Sequence, residues 1–343
     1  MESPEYVRTS LAAAMTLDLE PGRFYRDAKL YCINLLLTYS DGCLAKCAYC
    51  GLSGSRPGVY EKKSFIRVKW PVYPVDVVID RMKDGARDIR RVCISMVTRK
   101  RAVGHTIEIA GKIASATDIP ISLLISPTVT TKEDLVEYKK AGADKIGIAI
   151  DAATEELFDK WRGRGVGGPH KWSRYWGCFK EAIEIFGEGN VGSHFIVGLG
   201  ETEKQMVSAI QAIKDMGGET HLFSFFPEAG SIMASHPIPP LPVYRRIQIA
   251  RFLIDNGIGR ADKMEFDDAG RIVDFGIDKD LLDGVIDAGE CFMTSGCVGK
   301  DGKVACNRPF ANERPSMELR NFPFSPNAED VAKIRQEIWS DLM

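Results

Sequence analysis

The chain has 343 residues, of which 45% are hydrophobic and 27% are charged. This composition is typical of a globular protein and excludes a disordered chain, a collagen-like chain and a small disulfide-stabilised scaffold. With 45 basic and 47 acidic residues the formal net charge is −2, which argues against nucleic acid as the main partner. We expect no membrane span and a cytoplasmic location, because no apolar run is long enough and residues 1–20 do not resemble a signal peptide.

Short apolar segments alternate with segments of helical periodicity along much of the chain. Six segments are predicted to be buried strands: 31–39, 91–97, 121–125, 145–150, 191–197 and 221–226. Six others are predicted to be helices: 75–82, 106–116, 131–140, 175–186, 203–216 and 242–255. Strands that alternate with helices indicate parallel βαβ units, and the nearly continuous apolar sequence of each strand suits a sheet covered on both faces.

The number of these units limits the fold. Residues 29–260 contain six units, which is short of the eight in a complete barrel. An α/β fold is predicted, either an open six-unit barrel or a doubly wound sheet. Residues 1–28 form an N-terminal segment, and residues 261–343 a loop-rich C-terminal extension. We expect the extension to end in a helix over 328–343 that begins after Asn327.

Six of the nine cysteines form two groups of three, which favours metal binding over disulfides. The first group, Cys43, Cys47 and Cys50, has the spacing CxxxCxxC and follows the first predicted strand. Three thiolates so close together suit one soft metal centre, and a cubane held by three of them keeps one iron open. A zinc site is less favoured, because zinc motifs show paired Cys or His halves and no His is near.

This motif, with Tyr49 inside it, and the βα units that follow resemble the radical S-adenosylmethionine (radical SAM) enzymes. The resemblance covers roughly residues 29–255 and implies a partial (β/α)6 barrel of the TIM type. It also implies a 4Fe–4S cluster on Cys43, Cys47 and Cys50, with SAM bound to the open iron. In that family an electron from the cluster cleaves SAM, and the 5′-deoxyadenosyl radical abstracts a hydrogen atom.

The resemblance implies which residues contact SAM. They are Tyr49, Ser95, Thr98, Asp151, Arg162, Ile196, Gly198 and Glu201. The last three belong to a segment that matches the family's IxGxxE motif, which lies near the adenine, as Tyr49 would. Asp151 would accept bonds from the ribose or cap a helix, and Arg162 or Arg164 would pair with the SAM carboxylate. Many members carry Gly-Gly-Glu where this chain has residues 95–98, so backbone carbonyls near Ser95 and Thr98 would hold the SAM amino group.

The second group of cysteines comprises Cys291, Cys297 and Cys306, in a Gly-rich polar segment. A second 4Fe–4S cluster is predicted there, and zinc or unliganded cysteines remain alternatives. Ser316 is a candidate fourth ligand. Arg308 and Arg314 are candidate catalytic residues in a pocket wall beside the cluster. The isolated Cys32, Cys93 and Cys178 are predicted to be buried packing residues.

A C-terminal triplet followed by Asn-Arg-Pro and Glu-Arg-Pro segments most resembles the two-component lipoyl synthases, a pair of biotin-synthase-like radical SAM proteins. This resemblance implies sulfur insertion at C6 or C8 of an octanoyl-lysine, with the auxiliary cluster as sulfide donor. The implied partners are an octanoylated carrier protein or peptide, a second radical SAM component and an electron donor such as ferredoxin. The alternatives are a cofactor maturase related to the hydrogenase maturases, acting on an amino-acid-like molecule, and a non-catalytic iron–sulfur carrier or scaffold.

Overall fold

The computed structural model describes residues 1–84, 88–309 and 318–342. An eight-stranded sheet forms its centre. The strands are β1 (Tyr6–Thr9), β2 (Cys32–Leu37), β3 (Val72–Pro74), β4 (Arg91–Ser95), β5 (Ile121–Ile125), β6 (Ala143–Asp151), β7 (Val191–Val197) and β8 (Glu219–Ser224). Their order across the sheet is β3-β1-β2-β4-β5-β6-β7-β8.

From β2 to β8 all neighbouring strands are parallel and follow one another in chain order. A doubly wound sheet would reverse its strand order at a switch point, and this sheet does not. The molecule is therefore an α/β protein built on a partial (β/α)6 barrel, as expected. The C-terminal ends of all six parallel strands meet at one end of this barrel, where barrel enzymes place their active sites.

Most of the helices lie between successive strands of the sheet in the chain. The helices are α1 (Leu11–Thr16), α2 (Val75–Met82), α3 (Ala102–Ala116), α4 (Lys132–Lys140), α5 (Glu155–Trp161), α6 (Trp172–Phe186), α7 (Glu203–Asp215) and α8 (Leu241–Asp255). Residues close in sequence fix the N-terminal ends of two of these helices. Thr131 and Thr202 each accept a bond from the third residue of α4 and α7, whose side chain bonds back in a capping box.

Two short strands that were not predicted form one edge of the sheet, β1 in the N-terminal segment and β3 in the connection that follows the cysteine loop. Strand β1 pairs antiparallel with β2, Val7 opposite Leu37, and β3 pairs antiparallel with β1. Both strands are short, and β3 ends in a proline, so neither shows a clear alternation of polar and apolar residues. They extend the sheet beyond the first parallel strand and cover its edge.

The C-terminal extension adds a hairpin of β9 (Glu265–Phe266) and β10 (Ile272–Asp274), then α9 (Lys279–Ala288) and α10 (Ala328–Ile338). The predicted cap of the last helix is confirmed: Asp330 N–H donates to Asn327 Oδ1 at 2.9 Å, and Asn327 N–H donates to Asp330 Oδ2. Helix α10 packs on α8, where Arg245 Nε bonds Glu337 at 2.9 Å. No helix in the described residues is long and apolar enough to cross a membrane.

Candidate active site in the barrel

The first group of cysteines lies in the loop after β2, at the C-terminal end of the parallel strands. Thr98 N–H points at Cys43 Sγ from 3.4 Å, and Leu52 N–H points at Cys50 Sγ from 3.4 Å. Cys47 is buried, and the other two thiols are partly exposed. Backbone amides directed at cysteine sulfurs are among the features that tune iron–sulfur clusters, so this loop fits such a group.

Burial disfavours the charged form of these thiols. It raises the pKa of Cys47 to about 12 and raises that of Cys50. A bound cation reverses this effect by stabilising the thiolate. In the described part of the chain no three His, Cys, Asp or Glu side chains converge on a single metal ion. A cubane does not require that convergence, because each thiolate binds a different iron.

The cysteine loop forms one wall of a cavity of about 230 Å³ inside the barrel. Hydrophobic side chains provide much of the remaining wall, among them Leu36, Leu124, Ile125, Ile196, Phe223 and Phe225. Six of the predicted SAM contacts line it, namely Tyr49, Ser95, Thr98, Asp151, Arg162 and Ile196, and Arg308 lines it as well. A mostly apolar cavity with a few convergent polar groups is typical of a small-molecule site.

Tyr49, Asp151 and Arg162 form a single buried network. Tyr49 OH donates to Asp151 Oδ2 at 2.5 Å, and Arg162 Nη1 donates to the same oxygen at 2.7 Å. Arg162 Nη2 donates to Tyr175 OH at 3.0 Å, and that hydroxyl bonds His170 Nδ1. Burial raises the pKa of Asp151, and the positive charge of Arg162 opposes this shift. The network places the Asp151 carboxyl group and the Arg162 guanidinium together beside the cysteine loop.

The alternative role of Asp151 as a helix cap is not realised, because Thr154 caps α5 instead. Asp151 has φ +66°, an uncommon backbone conformation for a residue other than glycine. This strain is consistent with a functional position. Arg164, the other candidate for the SAM carboxylate, is exposed at the surface and pairs with Asp159 at 2.8 Å.

The segment matching IxGxxE is a tight turn after β7. Glu201 accepts bonds from the N–H groups of Gly198 (2.6 Å) and Leu199 (3.0 Å). Gly198 has φ +105°, and a Cβ there would lie 2.7 Å from Pro239. Ile196 lines the cavity, whereas Glu201 holds the turn that follows it. Burial raises the pKa of Glu201, and the backbone bonds oppose this effect.

Ser95 and Thr98 lie at and just beyond the end of β4. Thr98 Oγ1 bonds Ser126 Oγ at 3.0 Å, and its carbonyl accepts the N–H of Leu44 at 3.2 Å. Both residues line the cavity beside Cys43. The structure thus brings this segment to the cysteine loop, where the Gly-Gly-Glu segment of other family members is expected.

Glu228 is a cavity residue that the sequence analysis did not single out. It is buried, accepts the N–H of Arg67 at 2.8 Å and the hydroxyl of Ser64, and lies 3.7 Å from Arg56 Nη1. Its signal in the sequence is its position just after β8, at the C-terminal end of the parallel strands. A buried carboxylate with these partners positions the long loop between β2 and β3 over the cavity.

The second group of cysteines is divided in the structure. Cys297 and Cys306 line a small second cavity, and Cys291 does not. Cys291 is buried elsewhere, with its thiol 3.8 Å from the carbonyl of Val285. Cys32 and Cys93, predicted to be isolated packing residues, are buried as expected but pack against Cys306 and Cys297.

Arg308 lies where the two cavities meet and lines both of them. Its guanidinium is 5.2 Å from the ring centre of Phe223. A hydrogen bond from Cys32 and the charge of Arg308 lower the pKa of Cys306. Ser316 and Arg314, the candidate ligand and second candidate catalytic arginine, lie outside the described residues.

Comparisons with known proteins identify the family and the fold. A sequence profile of the Radical SAM superfamily matches residues 37–213. No protein of curated function matches the sequence significantly. Among solved structures, the chain is similar to HydG, a maturase of the FeFe hydrogenase, with a TM-score of 0.52 and 14% identity. The match covers 73% of this chain and 54% of that one, so the chain spans about half the length of HydG and shares its fold.

Proposed function

Because the chain belongs to the radical SAM superfamily, we propose that it is a sulfur-inserting enzyme, one component of a two-component lipoyl synthase. Its substrate is an octanoyl group on a lysine of a carrier protein or peptide, attacked at C6 or C8. Its partners are a second radical SAM protein and an electron donor such as ferredoxin. The single observation that carries this proposal is the junction of two thiol-lined cavities inside one barrel.

Four residues belong to both cavities, namely Leu124, His194, Phe223 and Arg308. On one side of them are Cys43, Cys47 and Cys50, and on the other are Cys297 and Cys306. A substrate at this junction would contact both the radical source and a cluster sulfide. Sulfur insertion needs this proximity, because a carbon radical must meet its sulfur donor before it meets solvent.

The cavity wall supports an acyl substrate. Leu124, Ile125, Ile196, Phe223 and Phe225 present apolar surface, which suits an octanoyl chain. Burying each methylene of such a chain contributes roughly 0.8 kcal/mol. An octanoyl group bound in this cavity would also exclude water from the place where the radical forms.

Residues of the chain would bind the first cluster, line the SAM side of the cavity and orient the substrate. Cys43, Cys47 and Cys50 would hold the SAM-binding 4Fe–4S cluster, while Tyr49 and Asp151 line the SAM side of the cavity. When bound, the two clusters and SAM supply the chemistry: reductive SAM cleavage, hydrogen abstraction by the 5′-deoxyadenosyl radical, and carbon–sulfur bond formation with a sulfide whose cluster accepts one electron. Arg308, at the junction, would orient the acyl carbonyl by donating hydrogen bonds from its guanidinium.

The second candidate is a cofactor maturase that acts on an amino-acid-like molecule. It is favoured by the shared fold with HydG and by the charged groups of Arg67, Glu228 and Arg308 along the cavity, which would suit a zwitterion. In that function the second group of cysteines would be dispensable for substrate cleavage.

Deuterium transfer separates these functions. The anaerobically reconstituted chain is incubated with SAM, a reductant and a peptide carrying a perdeuterated octanoyl-lysine. We expect deuterium in the 5′-deoxyadenosine and a peptide that has lost one deuterium and gained one sulfur atom as a thiol. The matched controls are the same peptide without the octanoyl group and the Cys47→Ala variant.

Other outcomes contradict the proposal. Unlabelled 5′-deoxyadenosine with the peptide, together with consumption of a free amino acid from a mixture of amino acids, would identify a maturase-like enzyme. SAM left uncleaved under all conditions would leave an iron–sulfur carrier or scaffold.

A further inference from the structure

Four cysteine side chains from three parts of the chain meet at the end of the barrel opposite the cysteine loop. Cys32 is the first residue of β2, Cys93 is in the middle of β4, and both are buried with Cys306. Cys297 packs against this group. The group is defined by Cys32, Cys93, Cys297 and Cys306 and is called the lower thiol group below.

The strand register explains why two of these thiols face inward. Asn34 of β2 pairs with Cys93 of β4, and side chains on one strand alternate between its faces. Cys32 therefore shares a face with Asn34, and Cys93 shares a face with Ser95, which lines the main cavity. Both cysteines point into the barrel, where an ordinary barrel has aliphatic side chains.

Asn34 connects two of the thiols directly. Its Nδ2 lies 3.6 Å from Cys32 Sγ and 3.8 Å from Cys306 Sγ. Cys297 Sγ lies 3.9 Å from His221 Nε2 of β8. Donors such as the Asn34 amide, directed at cysteine sulfurs, are typical of the surroundings of iron–sulfur ligands and stabilise the charge of bound thiolates.

Residues 295–307 hold the other two thiols against the barrel. Arg91 Nε donates to Val298 O at 2.7 Å, and Leu222 N–H donates to Ser295 Oγ at 3.0 Å. Asn307 Nδ2 donates to the carbonyl of Lys29 at 2.6 Å, just before β2. These contacts reach β2, β4 and β8, so the segment closes the N-terminal end of the barrel with Cys297 and Cys306 on its inner side.

Cys291 is not part of this arrangement. It is fully buried in the apolar core, and its carbonyl accepts a bond from Arg251 Nη2 of α8 at 3.4 Å. Cys297 and Cys306 are instead joined locally, because the N–H of Cys306 donates to the carbonyl of Cys297 at 3.0 Å. The lower thiol group therefore draws two members from the strands and two from the extension.

The lower thiol group could form two disulfides, a zinc site or an iron–sulfur cluster, and its geometry favours the cluster. All nine cysteines are free, so the group is not a pair of disulfides. The side chains described do not converge on a single ion, which argues against a tetrahedral zinc site. The same is true of Cys43, Cys47 and Cys50, and a 4Fe–4S cluster takes four thiolates that each bind a separate iron.

We propose that Cys32, Cys93, Cys297 and Cys306 are the ligands of the auxiliary 4Fe–4S cluster, in place of a set that includes Cys291. Four thiolates complete the coordination of a cubane without a ligand from the rest of the extension. Arg308 lies beside the group and offsets its negative charge, whereas Arg91 is paired with Asp144 at 2.6 Å. The use of this cluster as sulfur donor rests on the proposed function, whereas its assembly does not.

Iron and sulfide analysis tests the assignment directly. The full chain is prepared with Cys43, Cys47 and Cys50 changed to Ala, reconstituted anaerobically and examined by metal and acid-labile sulfide analysis and Mössbauer spectroscopy. We expect about four irons and about four sulfides per chain, with the signature of a 4Fe–4S cluster. Adding Cys32→Ala and Cys93→Ala removes them, whereas adding Cys291→Ala retains them.

The opposite pattern, loss with Cys291→Ala and retention with the strand pair, overturns the assignment. Zinc in place of iron and sulfide overturns it as well. Misfolding is checked with Cys32→Ala and Cys93→Ala in the otherwise native chain, which is expected to keep about four irons on the first group. If the lower cluster assembles but no sulfur reaches an octanoyl peptide, the proposed function fails and this assignment stands.

Discussion

Asn34 and Cys306 are 272 positions apart in the sequence, and the amide nitrogen of the first lies 3.8 Å from the sulfur of the second. This contact joins the inner face of the first parallel strand to the C-terminal extension. It gives the barrel two different ends: a cysteine loop where the strands finish, and a closed thiol group near where they begin. The main cavity lies between these two groups of cysteines, and under the proposed function it would present a radical source and a sulfur source to one substrate.

The first prediction concerns SAM cleavage. Cys47→Ala removes one of three thiolates from the first cluster, so 5′-deoxyadenosine formation is expected to fall to background. The matched control is Cys178→Ala, which removes a buried thiol from α6 away from the cavity and is expected to retain cleavage. The measurement is 5′-deoxyadenosine by chromatography after anaerobic incubation with SAM and dithionite. Loss of cleavage in both variants, or in neither, would contradict the role of the motif.

Arg162 is expected to stabilise the fold through Asp151. Arg162→Ala leaves a buried carboxylate without its cation, which typically costs about 3–5 kcal/mol of unfolding free energy. The double variant with Asp151→Asn should recover part of this loss, because the amide needs no counter-charge. Anaerobic urea denaturation measures both. Arg164→Ala is the control and should change little, since that side chain is exposed; equal losses at both arginines would contradict the account.

Gly198 is expected to tolerate no side chain. Gly198→Ala places a methyl group 2.7 Å from Pro239 at φ +105°, which should reduce stability by roughly 1–3 kcal/mol and weaken SAM binding. Gly111→Ala is the control, because Gly111 lies inside α3 and a Cβ added there would meet no atom within 4 Å. That change should stabilise the protein by up to about 1 kcal/mol. Thermal unfolding measures the stability of both variants, and equilibrium dialysis measures their SAM binding. A Gly198→Ala variant with unchanged stability and SAM binding would contradict this prediction.

His170 is expected to make stability depend on pH. Burial, together with the charge of Arg162, lowers its pKa to about 2 from an ordinary value of 6.5. The folded state therefore holds neutral imidazole where the unfolded state binds a proton. This contribution is complete above pH 6.5 and is lost as pH falls below it, by roughly 2 kcal/mol between pH 7 and pH 5.

Denaturation at several pH values measures this effect. His170→Gln should flatten the acid side of the stability curve by about 1.4 kcal/mol per pH unit near pH 5. An unchanged slope in the variant would mean that His170 is protonated in the folded protein or exposed to solvent.

The sequence predicted the barrel well because its signals are local. Strands β5 and β7 and helix α2 have the predicted bounds, since each is a continuous apolar or amphipathic segment between turn residues. The N-terminal strand β1 was missed. Its identity as a strand depends on pairing with β2, and its own four residues show little periodicity.

The site was predictable where its residues are close in sequence. The spacing of Cys43, Cys47 and Cys50 indicates one centre by itself. The lower thiol group could not be found in this way, because Cys32 and Cys93 become neighbours only through strand register. Cys291 is near Cys297 in sequence, and the sequence analysis grouped them for that reason. The 3-10 helix Glu290–Phe292 turns its thiol into the apolar core instead.

The central claim is that this barrel holds two clusters, one at the cysteine loop and one at the lower thiol group, with two adjoining cavities between them. The most direct measurement is the iron and acid-labile sulfide content of the wild-type chain after anaerobic reconstitution. Two cubanes predict about eight irons and about eight sulfides per chain. About four of each would contradict the account, because the barrel would then contain a radical source without a sulfur donor.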